Sequence, residues 1–114
     1  ILVCAGQDAG VADPNARNLV DRAGFRTMAS AVSGYADRYA GGDLAVVQEG
    51  GYQPSHLAFA TLGVLEGFLG TTVDLSEYGV DDGDPFAWLE ELQAPVDERI
   101  GAARDRYAEY WPSL

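Results

Sequence analysis

An α/β fold, with a mostly parallel sheet flanked by helices, is what these 114 residues predict. Three observations carry the prediction. Ile1-Leu2-Val3-Cys4-Ala5-Gly6 is an unbroken apolar run, suited to a strand buried on both faces in the middle of a parallel sheet. A second short apolar run lies at Leu44–Gln48. Between the two, apolar residues recur at helical spacing, so the first half reads as one βαβ unit, whose crossover should be right-handed.

Taken in order, the first strand empties into a loop of turn formers over Gln7–Asn18: Asp8, Gly10, Asp13-Pro14 and Asn15. Asp21 suits an N-cap, and the helix after it runs to about Tyr39. Its apolar positions are Phe25, Met28, Ala29, Val32, Ala36 and Tyr39, with Arg22, Arg26, Asp37 and Arg38 facing outward. Met28 and the aromatics are expected in the core. Gly41-Gly42 stops the helix. The strand Leu44–Gln48 then breaks into Glu49-Gly50-Gly51-Tyr52, and Pro54-Ser55 starts a second helix with Gly70 as its C′ residue. Leu57, Ala58, Leu62, Leu65, Phe68 and Leu69 cover much of that helix's circumference and predict deep burial.

Residues 71–83 read as an exposed acidic connector. Asp84-Pro85 suits an N-cap and N1 pair opening a short helix to about Leu92. Pro95 should open a last helix, Val96–Trp111, with Ile100, Ala103, Tyr107 and Trp111 along one stripe. The chain thus divides at about residue 70, with the βαβ unit and second helix before it and the connector and C-terminal helices after it.

Composition narrows the setting. A hydrophobic content of 47% excludes wholesale disorder, and no apolar run reaches membrane-spanning length. Ile1-Leu2-Val3 lacks the basic flank and cleavage site of a signal peptide. Cys4 is the single cysteine, which excludes an internal disulfide framework and fits a reducing, cytoplasmic compartment. The net charge is −11 and every basic residue is arginine, so nucleic acid and anionic membranes are not expected partners. Adaptation to high salt is favoured over a G+C-biased genome with an acidic face. Two short strands do not make a stable parallel sheet by themselves, and the chain opens without methionine. The expectation is the C-terminal portion of a longer protein.

Parallel strands deliver both loops, Gly6–Pro14 and Glu49–Tyr52, to the same edge of the sheet, where open α/β folds place their chemistry. A carboxylate and a phenol can converge there. Periodicity does not say what they do.

The order of motifs does. Ala5-Gly6-Gln7-Asp8-Ala9, Ala12-Asp13-Pro14, a crossover helix carrying Asp37-Arg38-Tyr39, Glu49-Gly50-Gly51-Tyr52, and a helix ending in Leu69-Gly70 follow one another over about three-fifths of the chain. This stretch resembles the C-terminal part of the zinc-dependent histone deacetylase superfamily, which includes acetylpolyamine amidohydrolases and class II-like prokaryotic deacetylases. The resemblance implies a three-layer α/β/α, arginase-like fold, with residues 1–70 in the catalytic domain; residues 71–114 match no motif of that family. It implies that Asp13 is one ligand of an Asp/His/Asp zinc site and that Tyr52 donates a hydrogen bond to the substrate's amide oxygen. Gly50 and Gly51 would let the loop turn that ring toward bound substrate. The implied reaction is hydrolysis of an N-acetyl amide, of acetyl-lysine or an acetylpolyamine, releasing acetate.

The family's tandem histidines and its Asp-x-His zinc ligands are absent from these residues. They are expected N-terminal to Ile1, so these 114 residues alone should be inactive. The expected partners are the N-acetylated amine and the N-terminal remainder of the same protein, with a homo-oligomer left open. Two rivals stand beside this reading: a family member without an intact zinc site, acting as a binding or scaffold domain, and an unrelated nucleotide-binding α/β fold. The second lacks Gly-x-Gly-x-x-Gly and a P-loop. Of the other candidates, Asp8 is expected to hold its turn through backbone amides, Cys4 to be a buried small hydrophobe, and His56 to take a surface or capping role. Glu49 is read either as support for the site or as a solvent-facing carboxylate, and Gln7 carries no assigned role.

Overall fold

Leu2–Ala5 (β1) and Ala45–Gln48 (β2) pair in parallel, with Leu2 opposite Ala45 and Ala5 opposite Gln48. The computed structural model describes residues 1–15, 18–76, 90–108 and 110, in two compact units, Ile1–Asp74 and Leu75–Leu114. In the first unit, Arg22–Ala40 (α1) connects the two strands and Pro54–Leu69 (α2) follows β2. The βαβ reading holds. Both α1 caps fall where local chemistry puts them. The Asp21 carboxylate accepts the Gly24 N–H at 2.6 Å, and Gly41 takes the left-handed conformation, φ +60°, with its N–H on the Ala36 carbonyl. Gly70 ends α2 in the same way, and Gln53 caps its start with Pro54 at the first helical position.

α1 and α2 pack on each other, and the face they share is not the one hydropathy selects. On α2 the buried residues are Ala60, Gly63, Glu66 and Gly67, whereas Leu65 and Leu69 are exposed. A Cβ on Gly67 would overlap the Arg26 carbonyl and fall 2.6 Å from the Ala29 Cβ, and one on Gly63 would overlap the Arg22 carbonyl. The two backbones therefore approach through glycine. Phe25, Ala29 and Ala36 fill the α1 side, as expected, but Met28, Tyr35 and Tyr39 are exposed. Tyr35 and Tyr39 instead lie ring to ring, with the Arg38 guanidinium 5.1 Å from the Tyr39 centroid.

Arg22 also departs from expectation. It turns inward and makes a two-pronged ion pair with Glu66, whose side chain is 1% exposed. Arg26 stands 3.7 Å from the same carboxylate. Glu66 accepts the Val73 N–H at 2.6 Å while Arg22 donates to the Val73 carbonyl at 2.7 Å, and Arg26 donates to Thr72. The first part of the connector is exposed, as predicted, yet tied down at this point.

Neither face of the two-stranded sheet carries a helix among the described elements. Leu2, Cys4, Val46 and Val47 are consequently exposed, where burial on both faces was expected for β1. Within these residues Cys4 is exposed. Glu49 accepts a hydrogen bond from its thiol, and together with the carboxylate's charge this pushes the thiol pKa up, so it is not poised as a nucleophile.

In the second unit, Glu90–Tyr107 (α3) is one helix that runs through Pro95 and ends before residue 111. The start of the short helix expected from Asp84-Pro85, and Trp111, lie outside the described residues, and Glu90–Leu92, expected to end that helix, belong to α3 instead. Ile100, Ala103 and Tyr107 are exposed along α3.

Glycine at position 67 yields a direct expectation. Gly67→Val should destabilise the protein by about 1–3 kcal/mol, the usual penalty for overpacking. Gly34→Ala, on α1 with open space around it, should stabilise by about 0.5–1 kcal/mol through helix propensity. Thermal unfolding of both variants checks the pair, and an unchanged midpoint for Gly67→Val would contradict the close approach.

Candidate functional site

The register that sets Ala5 beside Gln48 brings both strand-end loops to one edge. Three backbone groups lock them together: Glu49 N–H to the Ala5 carbonyl at 2.9 Å, Gln7 N–H to the Gly50 carbonyl at 2.7 Å, and Tyr52 N–H to the Asp13 carboxylate at 2.6 Å. The last of these joins two residues implicated by sequence. Asp13 is 6% exposed, and its other oxygen accepts the Asn15 N–H at 2.9 Å.

Burial pushes the Asp13 pKa up, but the N–H groups of Tyr52, Asn15 and Gln53, with the nearby charge of His56, outweigh it. The carboxyl is held below its usual range and carries its negative charge at neutral pH. One oxygen accepts from Asn15 and the other from Tyr52, with the Gln53 N–H also acting on the carboxylate. That is the donor a divalent metal requires, with its orientation set by neighbouring groups. Among the described residues, no three His, Cys, Asp or Glu side chains gather to hold a metal. A metal held by Asp13 would need its further ligands from outside the described residues.

Gly51 is favoured by its backbone conformation, and Gly50 lies against the Asp8 side chain. Gly51 has φ +137°, and a Cβ there would fall 2.7 Å from Leu57 Cδ1. A Cβ on Gly50 would fall 2.7 Å from Asp8 Cγ, because the Asp8 carboxylate lies over Gly6 and Gly50. The Tyr52 ring is 62% exposed, so the loop presents it outward from this chain and does not bury it as a core aromatic.

Two residues gain roles that the sequence did not disclose. Gln7 is 2% exposed and meets the Gln48 side chain across the strand ends. With its amide nitrogen turned to the Ala5 and Gly50 carbonyls, at 3.0 and 3.1 Å, it donates to both and staples the two loops. His56 is half-buried and is not the cap of α2, which is Gln53. Its ring lies against Gly10, where a Cβ would come within 2.5 Å of His56 Cδ2, and its Nε2 is buried without a hydrogen-bond partner. A glycine in the first loop and a histidine in the first turn of α2 were the available signals, but nothing in the sequence pairs them.

Fold and site together define an α/β protein whose polar groups converge on the edge where two parallel strands end. A family model described as the histone deacetylase domain matches residues 1–68, and the chain belongs to that family. It is 39% identical over 95 residues to a histone deacetylase-like amidohydrolase of Pseudomonas aeruginosa, covering 83% of this chain and 23% of that protein. It is 29% identical over 114 residues to histone deacetylase 8 of Arabidopsis thaliana, covering all of this chain and 29% of that protein. The chain thus spans less than a third of each of these curated relatives. No helix among the described residues is long and apolar enough to cross a membrane.

Proposed function

We propose that this chain is the C-terminal part of a zinc-dependent deacetylase of three-layer, arginase-like architecture. The full protein hydrolyses an N-acetyl amide, of acetyl-lysine or an acetylated polyamine, and releases acetate. The observation that carries the reading is the buried, ionised Asp13 held by the backbone of Tyr52. Asp13 would supply one oxygen ligand, and an Asp and a His from the N-terminal remainder would complete the set. Lewis acidity, and a coordinated water of lowered pKa, are what bound zinc supplies to such a site.

The chain's own contribution is positioning. The Tyr52 N–H on Asp13 ties the base of the phenol-bearing loop to the metal-ligating carboxylate, so neither shifts without the other. The Tyr52 hydroxyl would donate to the amide oxygen as that oxygen gains negative charge. Gly50 and Gly51 bring the loop backbone close to Asp8, Gln7 and Leu57. A net charge of −11 favours a cationic amine substrate. These residues alone should show no turnover, since the remaining ligands and the tandem histidines that serve as base and acid lie elsewhere.

Metal analysis tests the reading. The full protein should bind zinc stoichiometrically, and Asp13→Ala should become substoichiometric while staying folded. A full protein without zinc and without turnover would instead leave a binding or scaffold domain.

A further inference from the structure

A buried imidazole nitrogen without a hydrogen-bond partner contributes no bond that places its ring, which leaves packing to do so. His56 Nε2 is such a group. The ring occupies the space over Gly10 that any larger residue there would fill. Gly10 is itself part of the Asp13 turn: its carbonyl accepts the Asp13 N–H at 3.0 Å, and its N–H donates to the Gln7 carbonyl at 3.0 Å. From the other side, the His56 N–H donates to the Gln53 carbonyl at 3.1 Å, next to Tyr52, whose N–H holds the Asp13 carboxylate. A closed circuit results, from Asp13 through Tyr52 and Gln53 to His56, across to Gly10, and back to Asp13. The one link made by a side chain packing on backbone is His56 on Gly10.

Resting on the zinc reading above, we propose that His56 is a positioning residue for the metal-ligating carboxylate: its ring, seated on Gly10, clamps the Gly10–Asp13 turn beneath the Tyr52 loop. Without the ring, Asp13 keeps its backbone hydrogen bonds, but the turn that carries it loses its lateral support. The carboxylate then samples directions that do not suit a metal. Groups that orient a ligand in this way typically govern metal affinity by 10–100-fold.

The test uses the full protein, with Zn2+ affinity measured by competition against a chelating dye and Co2+ replacing zinc as a spectroscopic probe. His56→Ala should weaken Zn2+ binding about 10–100-fold and shift the visible Co2+ bands. His56→Phe, which keeps a ring over Gly10, should restore both to near wild type. Folding defects are separated by thermal unfolding, because a merely structural role would lower the midpoint without moving the Co2+ bands.

Wild-type metal affinity in His56→Ala overturns the inference, and so does a Phe variant as weak as Ala. Asp13→Ala run in parallel separates the two claims. If Asp13→Ala loses zinc while His56→Ala does not, only the role of His56 fails. Should Asp13→Ala keep zinc, the zinc reading falls and this inference falls with it.

Discussion

Tyr52→Phe in the full protein is expected to lower kcat on an acetyl-lysine peptide by roughly a hundredfold to a thousandfold, the scale of one lost oxyanion donor. The substitution removes a hydroxyl and leaves the ring, the loop and the backbone N–H that holds Asp13. Zinc content should therefore be unchanged, and KM should change little if the hydrogen bond forms chiefly as charge develops in the transition state. The ring is exposed in this chain, so the loss of its hydroxyl leaves no buried gap and stability should hold. Full activity in Tyr52→Phe would show that the phenol is not the donor. A variant that lost zinc as well would mean that the loop had moved, and the kinetic comparison would then need Asp13→Ala beside it.

Glu66→Ala is expected to cost about 3–5 kcal/mol of folding stability, the usual result of removing one member of a buried ion pair. The loss leaves the Arg22 guanidinium without its carboxylate and releases the Val73 N–H. The same carboxylate links stability to pH. Hydrogen bonds from Arg22 hold its pKa below the ordinary range, burial opposes them, and the Val73 N–H with the charges of Arg22 and Arg26 adds to the lowering. A carboxyl whose folded pKa lies below its unfolded value contributes stability above the unfolded value, about 4.3. That stability is lost as pH falls through the folded value. Thermal midpoints should accordingly decline from about pH 5 downward, and Glu66→Gln should decline less steeply. Asp13 contributes with the same sign, so the slope in Glu66→Gln should shrink without vanishing. A Glu66→Gln protein with the full wild-type slope would assign the linkage to other carboxylates.

Much of the site was legible because its signals are local. Asp21 and Gly41 mark the ends of α1 through capping chemistry that needs no distant partner. The runs at Ile1–Gly6 and Leu44–Gln48 announce parallel strands, and parallel strands leave both loops at one edge. That places Asp13 and Tyr52 together before any coordinates are known. The buried side of each helix was not legible in the same way. Helical periodicity ranks residues by hydropathy and selects Met28, Leu65 and Leu69, all of which are exposed.

What the sequence by itself determined was the order of strand, loop, helix, strand, loop and helix, the caps, and the edge where the loops carrying Asp13 and Tyr52 meet. Only the tertiary structure decided that Gly63 and Gly67 bring two backbones into contact, that Glu66 is buried on Arg22, and that His56 rests on Gly10. The physical reason is common to all three. A contact between residues far apart in the chain depends on how closely two elements approach. That distance is set by the absence of side chains at a few glycines, which carry no hydropathy signal of their own.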